Sequence, residues 1–193
     1  LSHSITQLKI FNMLKHVLFY GLIAGCVMVL FFIIEQPLVI DEGAKPDMKT
    51  GELWGYISML VSLSMIFFGV RSYRNKYLHG VITFGKAFQI GLWISLIASV
   101  IYVVGWMVLY STSETLQNFP DMYLNHMLEE LKKSGKTAAE IAEKEAAMRK
   151  NMELYKNPFI MMAVTFMEIF PVGLVIDVVT ALLLRKKATA SVE

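Results

Sequence analysis

Four long apolar runs organise the chain. Residues 17–34, 53–70 and 88–110 carry no charge, and residues 159–184 carry only two acids. A helix rises about 1.5 Å per residue, so about 20 apolar residues cross the ~30 Å hydrocarbon core of a bilayer. With their flanks, these runs predict four spans over about 17–36, 53–70, 84–112 and 159–184. The first is not read as a cleaved secretory signal. It is longer than a 7–15-residue signal core, and Glu35, Gln36 and Pro37 follow it where small residues would be needed.

The segment between the third and fourth spans has the only soluble pattern. Pro120 and Asp121 predict a helix start, and Ser134-Gly135 an end. Thr137 with Glu140 forms a capping-box pattern for a second helix, and Asn157-Pro158 closes it, because proline disfavours helical backbone at the residue before it. Glu129/Lys133, Glu140/Lys144 and Glu145/Arg149 stand four apart in the favourable order. Tyr123, Met127 and Leu131 share one face; Ile141, Met148, Met152 and Tyr155 share another. The expected fold is all-α: an integral membrane four-helix bundle with an extramembrane helical hairpin, residues 120–157, between helices 3 and 4.

Composition agrees. Apolar residues are 55% of the 193, above the ~45–50% of ordinary globular chains, and charged residues are 18% against ~25%. The net charge of +2 is too small to suggest nucleic acid as a partner. Its distribution is more informative. Lys9 and Lys15 precede the first span, Arg71, Arg74, Lys76 and Lys86 fill the second loop, and Arg185, Lys186 and Lys187 follow the last span. The first loop sets Lys45 and Lys49 against Glu35, Asp41, Glu42, Asp47 and Glu52. Basic flanks face the cytoplasm, so both termini are expected on the cytoplasmic side of the membrane and the hairpin outside. Arg71, Arg74, Lys76 and their neighbours read as a topology anchor touching anionic lipid headgroups.

Helices in lipid associate through small residues and polar contacts. Each span supplies a stripe: Gly21 and Gly25; Gly55, Ser58, Ser62 and Gly69; Gly91, Ser95, Ala98 and Gly105; Gly173, Asp177 and Ala181. Internal packing is favoured over dimerisation for the Gly21/Gly25 pair, with a homodimer or protein partner left open. The fourth span is unusual in holding Glu168 and Asp177, with Pro171 between them. On an insertion scale a central acid costs about 2.5–3.5 kcal/mol, while each Leu, Ile, Phe or Val returns about 0.3–0.6. This helix should therefore rely on its neighbours. Nine residues at about 100° each turn the two acids to opposite faces, so they do not make one paired-carboxylate site. Asp177 is expected to face the bundle with Arg71 or Lys86 as partner. Glu168 shares a face with Thr165 and Pro171, and Pro171 is a candidate kink. Each acid is read either as fixing helix register, as part of a proton or cation path, or as a ligand contact.

Other motifs lead nowhere. Residues 80–87 match a phosphate-binding loop until Ala87 stands where Ser or Thr is required, and no strand precedes them. Cys26 is alone, and His3, His16, His79 and His126 are scattered. His126 with Glu129 and Glu130 gives only a chance-level metal pattern. No cofactor, metal site or catalytic set is expected.

Several motifs carry a resemblance: Gly55-Tyr56-Ile57-Ser58-Met59, Phe67-Phe68-Gly69-Val70-Arg71-Ser72-Tyr73-Arg74, Val81-Ile82-Thr83-Phe84-Gly85-Lys86-Ala87-Phe88 and Thr165-Phe166-Met167-Glu168-Ile169-Phe170-Pro171-Val172-Gly173. Over roughly residues 20–187 the chain resembles the domain-of-unknown-function family 4199 of bacterial multi-pass membrane proteins. The resemblance implies a small inner-membrane protein without an assigned activity. It draws attention to Arg71, Arg74, Lys86, Glu168 and Pro171, and it departs at His79, where the family often has glycine. The expected function is a non-enzymatic scaffold, accessory or envelope interaction protein. The alternative is a small proton- or ion-coupled transporter or channel using Glu168 or Asp177, with a membrane enzyme third.

Overall fold

The computed structural model describes residues 2–39 and 48–186. The first-loop residues Asp41, Glu42, Lys45 and Asp47 and the terminal Lys187 lie outside the described residues, as does the side chain of Lys9. Six helices follow in order: α1 (Ser2–Val39), α2 (Met48–Tyr77), α3 (Phe84–Thr112), α4 (Glu114–Lys133), α5 (Ala138–Tyr155) and α6 (Pro158–Leu184). Four of them, α1, α2, α3 and α6, are long and apolar enough to span a membrane. Phe19, Leu22, Leu30, Ile34, Leu60, Val104, Val175 and Leu183 point outward and exposed. In water such a surface would be a liability; in a bilayer it is the lipid-facing side.

Local chemistry sets the helix ends. Thr83 caps α3 by accepting from the Lys86 amide at 3.3 Å. Ser113 ends α3 by donating its amide to the Leu109 carbonyl, and its hydroxyl opens α4 by accepting from the Leu116 amide. The first hairpin helix therefore begins at Glu114, and Pro120, expected to open it, lies inside. Thr137 and Glu140 form the anticipated capping box, the Glu140 carboxylate accepting from the Thr137 amide at 2.9 Å. Asn157 ends the hairpin and also caps α6, accepting from the Phe159 amide with Pro158 in the first turn, where its missing N–H costs nothing.

Around the bundle the order is α1–α2–α6–α3, with α1 and α6 on opposite corners. The glycine stripes are spent inside the chain. A Cβ on Gly21 would lie 2.7 Å from Ile97, one on Gly25 2.6 Å from Ile101, and one on Gly105 2.5 Å from Val29, so α1 and α3 approach too closely for any other residue. Gly173 of α6 also packs closely on α3, where a Cβ would stand 3.0 Å from that of Ser95. The α2–α6 side is the least extensive of the four.

The hairpin closes on itself and on the bundle. Leu124, Leu128 and Leu131 of α4 are buried against Ile141, Met148 and Met152 of α5. The α4 face is thus one residue out of phase with the expected Tyr123/Met127/Leu131 stripe. Starting α4 at Glu114 extends the buried line back through Pro120 to Leu116, and Tyr123 is released to face the bundle interior.

Candidate functional site

Asp177 does face the bundle, 1% exposed, but the partners expected for it are elsewhere. Both of its carboxyl oxygens take the Ser95 hydroxyl, at 2.9 Å each, and Gly91 leaves the room it occupies, since a Cβ there would stand 2.5 Å from Oδ1. Ser95 and Gly91 both come from α3, so the contact pins α6 against α3. Among the described residues no ion pair reaches Asp177. Lys86 donates to Met13 Sδ and Gln89 Oε1, both at 3.0 Å; Arg74 Nη1 donates to the Leu184 carbonyl at 3.2 Å; Arg71 is exposed. Arg74 is held by the carboxyl end of α6 and Lys86 by Met13 of α1 and Gln89 of its own helix, whereas Asp177 lies two turns inside α6.

These contacts assemble one basic end of the bundle. There α2 turns through His79 and Gly80, at φ 50° and 83°, into Ile82, which exchanges backbone hydrogen bonds with Lys186. The resembled phosphate loop is simply this turn and the α3 cap. His79 occupies left-handed backbone, the conformation that glycine adopts most freely. Beside it, His16 Nε2 donates to the Gly69 carbonyl at 2.9 Å within a ring of Tyr20, Tyr73 and Tyr77.

Glu168 has a different environment. Ten residues into α6, about 15 Å from Pro158 by helical rise, it is exposed on the wall of an open cavity of about 910 Å³. All six helices contribute to the wall, the bundle below and the hairpin above. Glu35 of α1 and Glu52 of α2 join Glu168 in the lining, with Tyr56, Tyr102, Tyr123 and Tyr155 and the small polar residues Ser58 and Thr165. Among the described residues no Lys, Arg or His lines it. Pro171 is not part of the wall; it is exposed within an unbroken α6.

The hairpin tyrosines register the charge. Burial first, then the carboxylates of Glu52 and Glu168, push the Tyr123 hydroxyl above the ordinary phenol range. Burial does the same at Tyr155, beside Glu168, with a Thr165 hydrogen bond opposing it. Glu35 is 8% exposed and lies within hydrogen-bonding reach of Ser58, and among the described residues its Oε1 has no partner. Gly55 turns open space towards the cavity: a Cβ there would meet nothing within 4 Å.

Of the residues singled out by sequence, the structure thus gives Glu168 a cavity and Asp177 a sealed contact, and gathers Arg74 and Lys86 at the basic end. Glu35, Glu52 and the tyrosines were missed. The first two read as loop acids at the ends of their apolar runs, and only the continuation of α1 and α2 as helices carries them onto the wall. A signal existed in Glu35, which stands directly after an 18-residue apolar run without a positive neighbour in sequence. A family profile described as protein of unknown function (DUF4199) matches residues 19–186. No curated protein and no solved structure matches the chain.

Proposed function

The chain belongs to the domain-of-unknown-function family 4199, and from that premise we propose that it is a non-enzymatic membrane protein of the transporter or channel class, taking a proton or cation into the cavity beside Glu168. One observation supports the reading: Glu35, Glu52 and Glu168 line a cavity in which, among the described residues, no basic side chain takes part. Ionisable groups at membrane depth are expensive, and those left without a countercharge on a cavity wall mark a pathway for ions. Asp177, sealed by Ser95, holds α6 in register and takes no part.

The proposed setting is the bacterial inner membrane with both termini cytoplasmic. Its support is the collection of Lys15, Arg71, Arg74, Lys76, Lys86, Arg185 and Lys186 near one end of the bundle. These side chains suit anionic lipid headgroups. The scaffold or accessory reading, with a protein partner or a second copy, has less to draw on. The hairpin turns Leu124, Leu128, Leu131, Met148 and Met152 inward, and α5 presents a charged outer face with the Glu145–Arg149 pair at 2.7 Å. Vesicles containing the purified protein and a trapped pH dye test the proposal. Proton or cation flux above empty liposomes is expected, reduced by Glu168→Gln. Absence of flux, or flux unchanged in that variant, refutes it.

A further inference from the structure

Where α6 ends and α3 begins, a recess of about 420 Å³ opens at the basic end of the bundle, lined by Ile82, Thr83, Phe84 and Arg185. Backbone pairing shapes it. Ile82 and Lys186 exchange hydrogen bonds at 3.1 and 2.9 Å, and the Arg185 amide donates to the Ala181 carbonyl at 3.1 Å. The Arg185 backbone is thus fixed on both sides, while its exposed side chain has no partner among the described residues. The negative end of the α6 dipole does not take up that charge, because Arg74 Nη1 already meets the Leu184 carbonyl at 3.2 Å. Among the described residues no carboxylate takes it up either: residues 1–34 and 53–113 contain no acid, and Asp177 is sealed on Ser95. The other walls are apolar. Ile82 is buried, and the Phe84 ring, stacked on Phe88, is 38% exposed. Leu183, in the last turn of α6, is 69% exposed on the lipid-facing side.

A recess that joins apolar walls to one fixed, uncompensated guanidinium suits a molecule with a hydrocarbon part and an anionic head. Arginine offers paired N–H donors to two oxygens of a phosphate, which the point charge of a lysine does not. We infer that this recess binds one anionic phospholipid, with its phosphate on Arg185 and its acyl chains along Phe84 and Leu183. This rests on the reading of the basic end as the headgroup side of the membrane, and not on ion flux past Glu168. It differs from a diffuse basic belt in depending on a single residue.

Native mass spectrometry of the full chain, released from detergent micelles titrated with lipid, tests the site. The probes are dioleoyl phosphatidylglycerol and dioleoyl phosphatidylcholine, which share their chains and differ in net charge. Retention of one phosphatidylglycerol per chain is expected, in clear preference to phosphatidylcholine. Arg185→Gln leaves the backbone bonds in place and should weaken that retention about tenfold, the loss of one charged hydrogen-bonded pair. Arg71→Gln removes the same charge from an exposed position at the same end and should stay within about twofold of wild type. Soluble glycerophosphate, which lacks the acyl chains, should not displace the lipid. Equal affinity for the two lipids overturns both the site and the headgroup reading of the basic end. A preference for phosphatidylglycerol that both variants reduce alike, or that neither reduces, overturns the site and keeps that reading. Displacement by glycerophosphate overturns the lipid as occupant. Should Arg185→Gln fail to fold, Arg185→Lys decides in its place: affinity falls severalfold where paired donors hold the phosphate, and an unchanged affinity overturns the site.

Discussion

If Asp177 is a register pin, the Ser95 hydroxyl matters more to stability than the charge of the carboxyl group does. Ser95→Ala removes both 2.9 Å contacts and leaves a carboxyl that is 1% exposed with no partner among the described residues. Orphaning a buried polar group costs about 1–3 kcal/mol. Asp177→Asn keeps the shape and an acceptor oxygen for Ser95 while removing an acid that is costly to insert, so its loss should stay below about 1 kcal/mol. The hydroxyl has a second acceptor in the Gly91 carbonyl at 3.2 Å, which further softens changes made on the Asp177 side. Interhelical hydrogen bonds in membranes couple by about 0.6 kcal/mol on average and at most about 1.7. The double variant should therefore fall short of the summed losses by an amount in that range. Equilibrium unfolding in mixed detergent micelles, read by far-UV circular dichroism, measures all three. The reasoning fails if Ser95→Ala is neutral while Asp177→Asn is severely destabilising, because the acid would then be acting through its charge.

Three further predictions address other parts of the molecule. Gly25→Ala drives a methyl to 2.6 Å from Ile101 and should cost about 1–3 kcal/mol in the same assay without changing oligomeric state; a dissociating dimer with undiminished monomer stability would instead place that face between chains. At the hairpin, hydrogen bonds from the Thr137 hydroxyl and then its amide hold the Glu140 carboxyl below the ordinary range. A depressed folded-state value means the cap contributes fully above the unfolded value of about 4.3 and loses that contribution as pH falls through the folded one. Protection of the amides in the first turn of α5, relative to intrinsic exchange at each pH, should thus fall only below about pH 4, and Thr137→Ala should remove that dependence as it weakens the helix by about 0.5–2 kcal/mol; equal pH dependence in the variant contradicts the cap. Finally, His79→Gly relieves a left-handed residue at φ 50° and should raise stability by up to about 1 kcal/mol, the unfolded-state entropy of glycine offsetting part of the gain. A lower melting temperature would show that the His79 side chain holds the turn.

Much of this architecture is written locally. The four spans follow from uninterrupted apolar length, because a bilayer leaves helices almost no alternative. The Thr137 capping box and the Asn157-Pro158 boundary are likewise local, since each involves atoms within one turn. Gly21 and Gly25 indicated close approach, although only packing revealed that α3 supplies Ile97 and Ile101 to meet them.

What local pattern did not contain was which side chains from separate helices converge. Arg71 and Lys86 were assigned to Asp177 by charge and membrane side, and a serine on α3 holds it instead. A buried carboxyl group is satisfied by whichever donor the interhelical geometry brings within 3 Å, and sequence spacing between helices carries no such distance. The cavity is the larger case. Tyr123 entered it because α4 starts at Glu114 and rotates by one residue, and Glu35 because α1 continues past its apolar run. Sequence by itself determined that the chain lives in a membrane and where it crosses. Tertiary structure alone decided that Glu35, Glu52 and Glu168 share one cavity while Asp177 is sealed away, because helix rotation and crossing are set by how neighbouring faces pack.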